Sequence, residues 1–359
     1  MPPELNTSEQ SPIRMLAFGA GALGTYIAGS LALHGHRIVF LERPEIVSEL
    51  RKSGLHLTIK EQTRDLTEPV LTASLAEALE QGPFDIALFA LKSFDTLAAL
   101  ESMTPYLDTL PPILCLQNGV ENELLLAERL GEERVIPGTV TSAVGRRGVG
   151  NVVLERLRGV GIWAGHPFSA QLTEAFNHSG LNARMYAHSE DMKWSKMLTN
   201  LLANASSAIL DMTPGEIFAQ PQLFRLEVEQ LRETLRVMEA HKYHVVDLPG
   251  TPIRALAFSV RGLPSGLSRN LLKSAVGGGR GGKMPSFHID LHSGRGLSEV
   301  EYLNGAVVRF GERAGIPTPV NRFLNETLLA LTNGSIPLEA FARQPEKFID
   351  KFKRNYQSG

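Results

Sequence analysis

The segment from Ile13 to His34 limits the fold more than any other part of this sequence. A short apolar run, typical of a buried strand, is followed by a glycine-rich turn and then by an apolar stretch that ends at His34. The turn reads Gly19-Ala20-Gly21-Ala22-Leu23-Gly24. A strand, a G-x-G-x-x-G turn and a helix in this order predict a dinucleotide-binding unit built on a parallel sheet.

The three glycines of this turn have separate predicted roles. Gly19 permits a tight turn, Gly21 omits the Cβ that would block a pyrophosphate, and Gly24 lets helix and strand pack closely. The phosphates would bind the N–H groups at the helix N-terminus. We expect cofactor contacts from Gly19, Ala20, Gly21, Ala22, Leu23 and Gly24. The alternative is a glycine turn in an α/β domain that binds no nucleotide.

Composition limits the class of protein further. A chain of 359 residues is long enough for two domains. Its net charge of −2 argues against nucleic-acid binding, and no apolar stretch approaches the roughly 20 residues that span a bilayer. The single cysteine, Cys115, lies in an apolar run, so we expect a reduced core residue and a cytoplasmic protein.

The pattern of elements predicts an α/β fold in two parts. Strands and helices alternate up to about Tyr186, which favours a Rossmann-type doubly wound sheet with an antiparallel extension, whereas helical periodicity dominates after His188. The predicted parts are a loose tail (1–12), a dinucleotide-binding domain (13–188), a mostly helical substrate and catalytic domain (189–335) and a charged C-terminal extension (336–359).

A polar stripe marks the first predicted helix of the second domain, which covers 190–210. Lys196, Asn200 and Asn204 recur at i, i+4 and i+8 and would lie on one face between leucines. Polar side chains set among leucines are typically buried against groups that hydrogen-bond them. A solvent-exposed helix face is the alternative.

Lys92 and Asn118 each follow an apolar strand of the first domain. Ligands of open α/β sheets bind at the carboxyl ends of strands, although an Asn-Gly turn and an exposed lysine are plain alternatives.

Further on, Ser298 and Glu301 have the S-x-x-E spacing of a capping box, which predicts a helix start. That cap would leave Glu299 free to point elsewhere.

Several of these motifs together resemble the ketopantoate reductase (2-dehydropantoate 2-reductase) family. They occur in the family's order over residues 13 to about 332. The motifs are the glycine turn, Leu91-Lys92-Ser93, Leu116-Gln117-Asn118-Gly119-Val120, the Trp194-x-Lys196-x-x-x-Asn200-x-x-x-Asn204 stretch, and Ser298-Glu299-Val300-Glu301-Tyr302-Leu303-Asn304-Gly305.

This resemblance implies NADPH-dependent reduction of ketopantoate to pantoate, a step toward pantothenate and coenzyme A. It makes Lys196 the general acid that protonates the carbonyl oxygen, and a cation there would stabilise the alkoxide that hydride transfer creates. It also implies that Asn200, Asn204 and Ser286 bind the substrate together with Lys196. Glu299 is similar to the acid that orients the lysine and lies beside the cofactor. Cofactor contacts are implied for Lys92 and Asn118.

The sequence departs from the family's pattern near the substrate. The family often has an asparagine where this chain has Pro214. A glycine-rich run, Gly277 to Lys283, replaces what is usually helix before Ser286 and is either a mobile lid or a solvated loop. Arg280 or Lys283 in that run could bind an acidic substrate in place of Ser286. The exact oxo acid therefore stays open.

The choice of cofactor rests on two adjacent residues. Arg43 matches the family's arginine that reads the 2′-phosphate, and it favours NADP. Glu42 could hydrogen-bond a ribose 2′-OH and repel that phosphate, which makes NAD possible. We favour NADP.

Two other functions compete with the reductase that the resemblance implies. One is a related NAD(P)-dependent reductase or dehydrogenase that acts on another 2-oxo or hydroxy acid. The other is a non-catalytic NADP-sensing protein, for which a buried proton donor has no purpose. In each case we expect a small-molecule ligand, no metal site, no nucleic acid and no membrane, and a homodimer is possible.

Overall fold

A computed structural model describes residues 11–262 and 283–356. The chain divides into two compact units. The second unit begins at His188 and also takes in two short segments, residues 92–97 and 118–122, whereas the first unit contains the rest of the chain up to Ala187. Residues 1–10 of the expected tail lie outside the described residues.

The first unit is an α/β unit. Its strands are β1 (Arg14–Phe18), β2 (Arg37–Leu41), β3 (Leu55–Ile59), β4 (Gln62–Leu66), β5 (Val70–Thr72), β6 (Ile86–Phe89), β7 (Ile113–Cys115), β8 (Val135–Val140), β9 (Ala143–Gly148), β10 (Asn151–Arg156), β11 (Val160–Trp163) and β12 (Ala183–Tyr186). The helices of this part of the chain are α1 (Ala22–Ala32), α2 (Pro44–Ser53), α3 (Leu75–Glu80), α4 (Thr96–Met103), α5 (Asn122–Leu130) and α6 (Ser169–His178).

The larger sheet confirms the predicted doubly wound fold. Its strand order is β12-β11-β8-β7-β6-β1-β2-β5, and every pair is parallel except β8 with β11. Apolar cores cover both faces of this sheet. Side chains alternate between the two faces along each strand. In β1, Met15 and Ala17 belong to one apolar core, whereas Leu16 and Phe18 belong to the other.

A smaller sheet of order β4-β3-β10-β9 lies against α1. The close approach is visible at Gly29, where an added Cβ would come within 3.0 Å of Leu57 Cδ1. Leu55, Leu57 and Val152 of this sheet share one core with Tyr26 and Ile27 of α1. The helix that follows the glycine turn is therefore fixed between two sheets.

The second unit is helical over its described residues, as the periodicity predicts. Its helices are α7 (Ser189–Leu201), α8 (Asn204–Leu210), α9 (Pro214–Ala219), α10 (Pro221–Ala240), α11 (Ile253–Gly262), α12 (Ser286–Leu291), α13 (Val300–Ala314), α14 (Pro319–Thr332) and α15 (Pro345–Tyr356). Short 3₁₀ turns lie at Ser93–Asp95, Thr104–Tyr106, Glu132–Arg134 and Leu338–Ala340. Within the described residues, none of the helices combines the length and the hydropathy that a membrane span requires.

The prediction of one continuous helix over 190–210 is wrong. α7 ends at Leu201 and α8 begins at Asn204, because Ala203 adopts a left-handed conformation with φ 53°. Lys196 and Asn200 therefore lie on α7, whereas Asn204 is the first residue of α8. The i+4 spacing from Asn200 to Asn204 is not a helical spacing in this protein.

Side chains of α10 satisfy the backbone at this break. The Ala203 N–H donates to Glu227 Oε2 at 2.7 Å, and Gln230 Nε2 donates to the Leu201 carbonyl at 3.1 Å. Ser206 Oγ donates to the other Glu227 oxygen at 2.6 Å. A buried carboxylate and a buried amide thus replace the hydrogen bonds that a continuous helix would supply.

Residues 336–359, expected as a charged extension, include a packed amphipathic helix. Phe348, Ile349 and Phe352 of α15 are buried, and the rings of Phe348 and Phe352 lie 4.8 and 5.3 Å from that of Phe323 on α14. The charged side chains of α15 occupy its other face. Residues 357–359 lie outside the described part of the chain.

Candidate active site

The glycine turn has the geometry of a phosphate cradle. A Cβ at Gly24 would lie 1.9 Å from the Gly19 carbonyl oxygen, so only glycine fits where α1 meets the turn. Gly19 itself has φ +91°, a conformation that favours glycine. A Cβ at Gly21 would meet no atom within 4 Å, which leaves open space beside the start of α1. The residues present fit a dinucleotide pyrophosphate.

Glu42 is bound to this turn. Its Oε1 accepts a hydrogen bond of 2.9 Å from the Ala20 N–H, and its Oε2 accepts one of 3.0 Å from the Arg43 N–H. The Glu42 side chain is 15% exposed, whereas that of Arg43 is 60% exposed and lies 3.5 Å from Glu45. The acid therefore has a fixed position at the end of β2, and the arginine extends into solvent.

In the second unit, Lys92 and two acids form what we call the Lys92 cluster, together with Ser93. Lys92 Nζ donates to Glu299 Oε2 at 2.7 Å and to Asp290 Oδ2 at 3.1 Å. The Ser93 N–H and hydroxyl both donate to Glu299 Oε1, at 3.2 and 3.1 Å. Glu299 is 2% exposed, so these donors rather than bulk water satisfy its carboxylate oxygens.

The pKa values of Lys92 and Asp290 are both raised in this cluster. Burial disfavours the Lys92 ammonium, but attraction to Glu299 and Asp290 outweighs this and raises the pKa of Lys92. Burial raises the pKa of Asp290, the Lys92 charge opposes that rise, and Glu299 adds to it. Lys92 is thus held as a cation between the two acids.

A chain of amide side chains, which we call the amide chain, lies in the same unit. Asn200 Nδ2 donates to Asn118 Oδ1 at 3.0 Å. Asn204 Nδ2 donates to the Asn200 carbonyl at 3.0 Å and to Ser286 Oγ at 3.2 Å. The Phe287 N–H donates to Asn204 Oδ1 at 3.0 Å. These contacts bring together four residues that the resemblance assigned to substrate or cofactor.

Ser93 and Asn122 connect the amide chain to the Lys92 cluster. Ser93 Oγ lies 3.1 Å from the Asn118 carbonyl oxygen as well as from Glu299. Asn122 Nδ2 donates to the same carbonyl at 2.7 Å and to Ser93 Oγ at 3.1 Å. One hydrogen-bonded network therefore extends from Lys92 to Ser286.

Lys196 lies on α7, one helical turn before Asn200. The residue is 9% exposed, and its neighbours Met197 and Leu198 are buried. A lysine this deeply buried is uncommon in proteins unless its charge has a partner or a purpose. The structure thus places the lysine beside an amide of the network rather than on a solvent-exposed face.

The capping box predicted for Ser298 and Glu301 is wrong. Glu299 itself is the residue that precedes the first turn of α13, and Ser298 Oγ accepts from the Val300 N–H at 3.2 Å. The helix therefore starts later than the pattern suggests, and the Glu299 carboxylate is bound by Lys92 and Ser93. The expectation that Glu299 points away from its own helix is consistent with those contacts.

The sequence interpretation missed three members of the network: Ser93, Asn122 and Asp290. Ser93 lies within the Leu91-Lys92-Ser93 motif, and Asn122 lies two residues after the Leu116 to Val120 motif. Their positions just after buried strands could have predicted that they belong to the site. Asp290 had no such signal, because it lies 198 residues from Lys92 in the chain.

Two other departures from the family's pattern are Pro214 and the run from Gly277 to Lys283, of which the structure describes Pro214 and Lys283. Pro214 is the first residue of α9, where Thr213 and Glu216 form a capping box. Lys283 is exposed, whereas Arg280 and the glycines of 277–282 lie outside the described residues.

These features define a class of protein: a Rossmann-type α/β unit with a glycine turn, followed by a helical unit with a buried lysine and a polar network. Comparison with known sequences identifies the family within that class. Residues 15–166 match the family described as Ketopantoate reductase PanE/ApbA, and residues 189–332 match its C-terminal counterpart. The chain belongs to the ketopantoate reductase family, which is a family of oxidoreductases.

Individual relatives agree with this assignment. The 2-dehydropantoate 2-reductase of Halobacterium salinarum is 26% identical over 321 residues, covering 87% of this chain and 96% of the relative. A ketopantoate reductase family structure from Ralstonia eutropha has a TM-score of 0.75 at 26% identity, over 89% of this chain and 99% of the other. D-mandelate dehydrogenase with NADH and anilino(oxo)acetate shares the fold, with a TM-score of 0.72 at 21% identity over 91% of this chain and all of that one.

Proposed function

We propose that this chain is an NADPH-dependent 2-oxo acid reductase that converts ketopantoate to pantoate in the supply of pantothenate and coenzyme A. The observation that carries the proposal is the network from Lys92 to Ser286, with the buried Lys196 beside it. In this scheme the first domain, 13–188, binds the dinucleotide, and the helical domain, 189–335, binds the oxo acid.

The chemical roles follow from the charges that the reaction creates. When bound, the nicotinamide cofactor supplies a hydride to the carbonyl carbon. The Lys196 ammonium donates a proton to the carbonyl oxygen and stabilises the developing alkoxide. Burial of Lys196 strengthens this effect, because water does not screen the charge there.

The amide chain supports a role in substrate orientation. Asn200 and Asn204 offer amide groups to the hydroxyl and carbonyl oxygens of an oxo acid, and Ser286 offers a hydroxyl to its carboxylate. Because Asn204 also binds Ser286, the two side chains are held in a fixed relation before substrate arrives. Such preorganisation lowers the entropy lost on binding.

The Lys92 cluster supports a role on the cofactor side. Lys92 is held as a cation by Glu299 and Asp290, which suits contact with the polar groups of a bound nucleotide. Ser93 links Glu299 to the Asn118 carbonyl, so the two proposed cofactor contacts, Lys92 and Asn118, are positioned by one hydroxyl.

Substitution of the proposed acid tests the reaction. The Lys196→Ala variant should lose turnover of ketopantoate with NADPH by roughly 10²- to 10⁴-fold, the usual contribution of a general acid. Oxidation of NADPH is followed by its absorbance, and cofactor binding is measured separately by nucleotide fluorescence. We expect binding to persist, because Lys196 is assigned to the substrate rather than the nucleotide.

The matched control is Lys193→Ala, which removes a second buried lysine from α7. It should retain turnover. Equal losses in both variants would mean that Lys196 acts through the stability of α7, and turnover within tenfold of the wild type would contradict the role as acid. Cofactor binding by the wild type without turnover of any 2-oxo acid would instead favour an NADP-sensing protein.

Another oxo acid is the second candidate substrate. Pro214 has no side-chain amide where the family often has asparagine, and it is fixed as the first residue of α9. One polar contact to ketopantoate that the family often makes is therefore either missing or replaced by another residue. A panel of 2-oxo and hydroxy acids, tried on the wild type, separates the candidates: a tenfold or greater preference for another acid would replace ketopantoate.

We propose NADPH as the preferred cofactor, with NADH as the alternative. Arg43 supports NADPH because it has the family position for a 2′-phosphate and is exposed enough to reach one. The fixed carboxylate of Glu42 supports NADH, since it would repel that phosphate. We also propose a cytoplasmic enzyme and, as an arrangement to test by light scattering, a homodimer.

A further inference from the structure

Three potential metal ligands meet where α8 and α12 pack together. His288 lies within α12, His292 directly follows the last residue of this helix, and Asp211 directly follows the last residue of α8. One ligand atom from each of the three lies within 4.8 Å of the others. None of these residues belongs to the network described above.

The geometry of the three side chains is close to that of a coordination site. His288 Nε2 lies 2.9 Å from Asp211 Oδ1, and the two imidazole rings are 4.2 Å apart between centroids. Histidines at i and i+4 share one helix face, which is a common metal-binding spacing. Around a tetrahedral ion with bonds of ~2.1 Å, ligand atoms lie ~3.4 Å apart, so small side-chain movements would complete the site.

We infer that Asp211, His288 and His292 form a binding site for a divalent transition-metal ion, with zinc as the expected occupant. Two imidazoles and one carboxylate suit zinc, nickel or cobalt, whereas magnesium and calcium prefer sites made of oxygen ligands. Three protein ligands leave at least one position for water. The inference departs from the sequence interpretation, which expected no metal.

An ion at this site would join two helices that also carry the amide chain. α8 begins with Asn204 and α12 begins with Ser286, and these two side chains are hydrogen-bonded to each other. A metal between the other ends of the same helices would restrain both. Solvent access is sufficient for an ion to enter, since the Asp211 side chain is 51% exposed and His292 is exposed.

A simple ion pair between His288 and Asp211 is the competing explanation. In that case His292 would be dispensable, whereas a metal site requires it. The test therefore compares wild type with His292→Ala, and it uses the full chain without a histidine tag, freed of metal by a chelator. His178→Ala, which removes an exposed histidine from α6, is the matched control.

Zinc chloride is titrated calorimetrically, and cobalt chloride is titrated with visible absorption as a coordination signal. We expect one ion per chain, affinity reduced roughly tenfold or more in His292→Ala and in Asp211→Asn, and no change in His178→Ala. Zinc should also raise the melting temperature of the wild type but not of His292→Ala. Equal affinity in wild type and His292→Ala, or no binding at all, would overturn the inference.

Discussion

At the scale of single residues, Glu42 bears most directly on the choice between NADPH and NADH. Its carboxylate is fixed by the Ala20 and Arg43 N–H groups, so it cannot move aside without losing two hydrogen bonds. A 2′-phosphate would approach this fixed negative charge, whereas a ribose hydroxyl would find an acceptor. The exposed Arg43 offers the opposite preference.

Glu42→Gln should therefore shift the ratio of kcat/KM for NADPH over NADH upward by about tenfold, which corresponds to ~1.4 kcal/mol. Glutamine keeps an oxygen for the Ala20 N–H but removes the charge. Steady-state kinetics with both cofactors measure the ratio, and Glu49→Gln on α2 is the control for lost surface charge. An unchanged ratio would show that Glu42 is a structural acceptor with no part in cofactor choice.

At the scale of elements, the break between α7 and α8 decides where the amide groups lie. Ala203 adopts the left-handed conformation, which costs a residue with a Cβ roughly 1–2 kcal/mol. Glu227 and Gln230 of α10 compensate by binding the backbone on both sides of the break. Packing against α10 thus outweighs the helical preference of the local sequence.

Ala203→Gly should leave the free energy of unfolding within about 1 kcal/mol of wild type, because relief of the left-handed backbone offsets the lost buried methyl group. Ala208→Gly, in the middle of α8, should lose about 2 kcal/mol, since both helix propensity and methyl burial are removed. Chemical denaturation measures the two. Equal losses would mean that Ala203 has no conformational strain to relieve.

Two stretches with the spacing of a capping box differ in whether the box forms. Ser298 and Glu301 match the pattern but do not form the box, and the intervening Glu299 binds Lys92 and Ser93. Thr213 and Glu216 do form one, with Pro214 as the first helical residue. The S/T-x-x-E spacing alone therefore does not decide whether a capping box forms.

At the scale of the whole molecule, stability should depend on two buried acids of α10. Burial raises the pKa of both Glu227 and Glu233 to about 7, although hydrogen bonds from Ser206 and Ala203 favour the Glu227 carboxylate and bonds from Asn321 and Val320 favour that of Glu233. The folded chain then holds these protons more tightly than the unfolded chain does. Stability from this source is present at low pH and is lost as pH rises from about 4.5 through about 7.

Glu227→Gln should remove its share of this pH dependence. The difference in free energy of unfolding between wild type and variant should change by about 2 to 3 kcal/mol from pH 5 to pH 8, with wild type relatively more stable at pH 5. Urea denaturation, followed by the helical circular dichroism signal, measures it at both pH values. Glu239→Gln, an exposed acid of α10, should show no such change, and parallel profiles for wild type and Glu227→Gln would contradict the prediction.

The sequence by itself determined the parts of this protein that depend on contiguous residues. The strand, turn and helix around Gly19 follow from a local pattern, and so do the parallel strands and the helical second half. The family motifs also identified most members of the polar network, because Lys92, Asn118 and Glu299 lie within short recognisable stretches.

The tertiary structure alone decided which of those residues meet and how. Asp290 contacts Lys92 across 198 positions, Glu227 satisfies a helix break 24 positions away, and Asp211 lies beside His288 across 77. No periodicity or spacing encodes such pairs, because they depend on how helices pack. Buried polar groups are almost always hydrogen-bonded, so the packing of the fold determines which partners these side chains have.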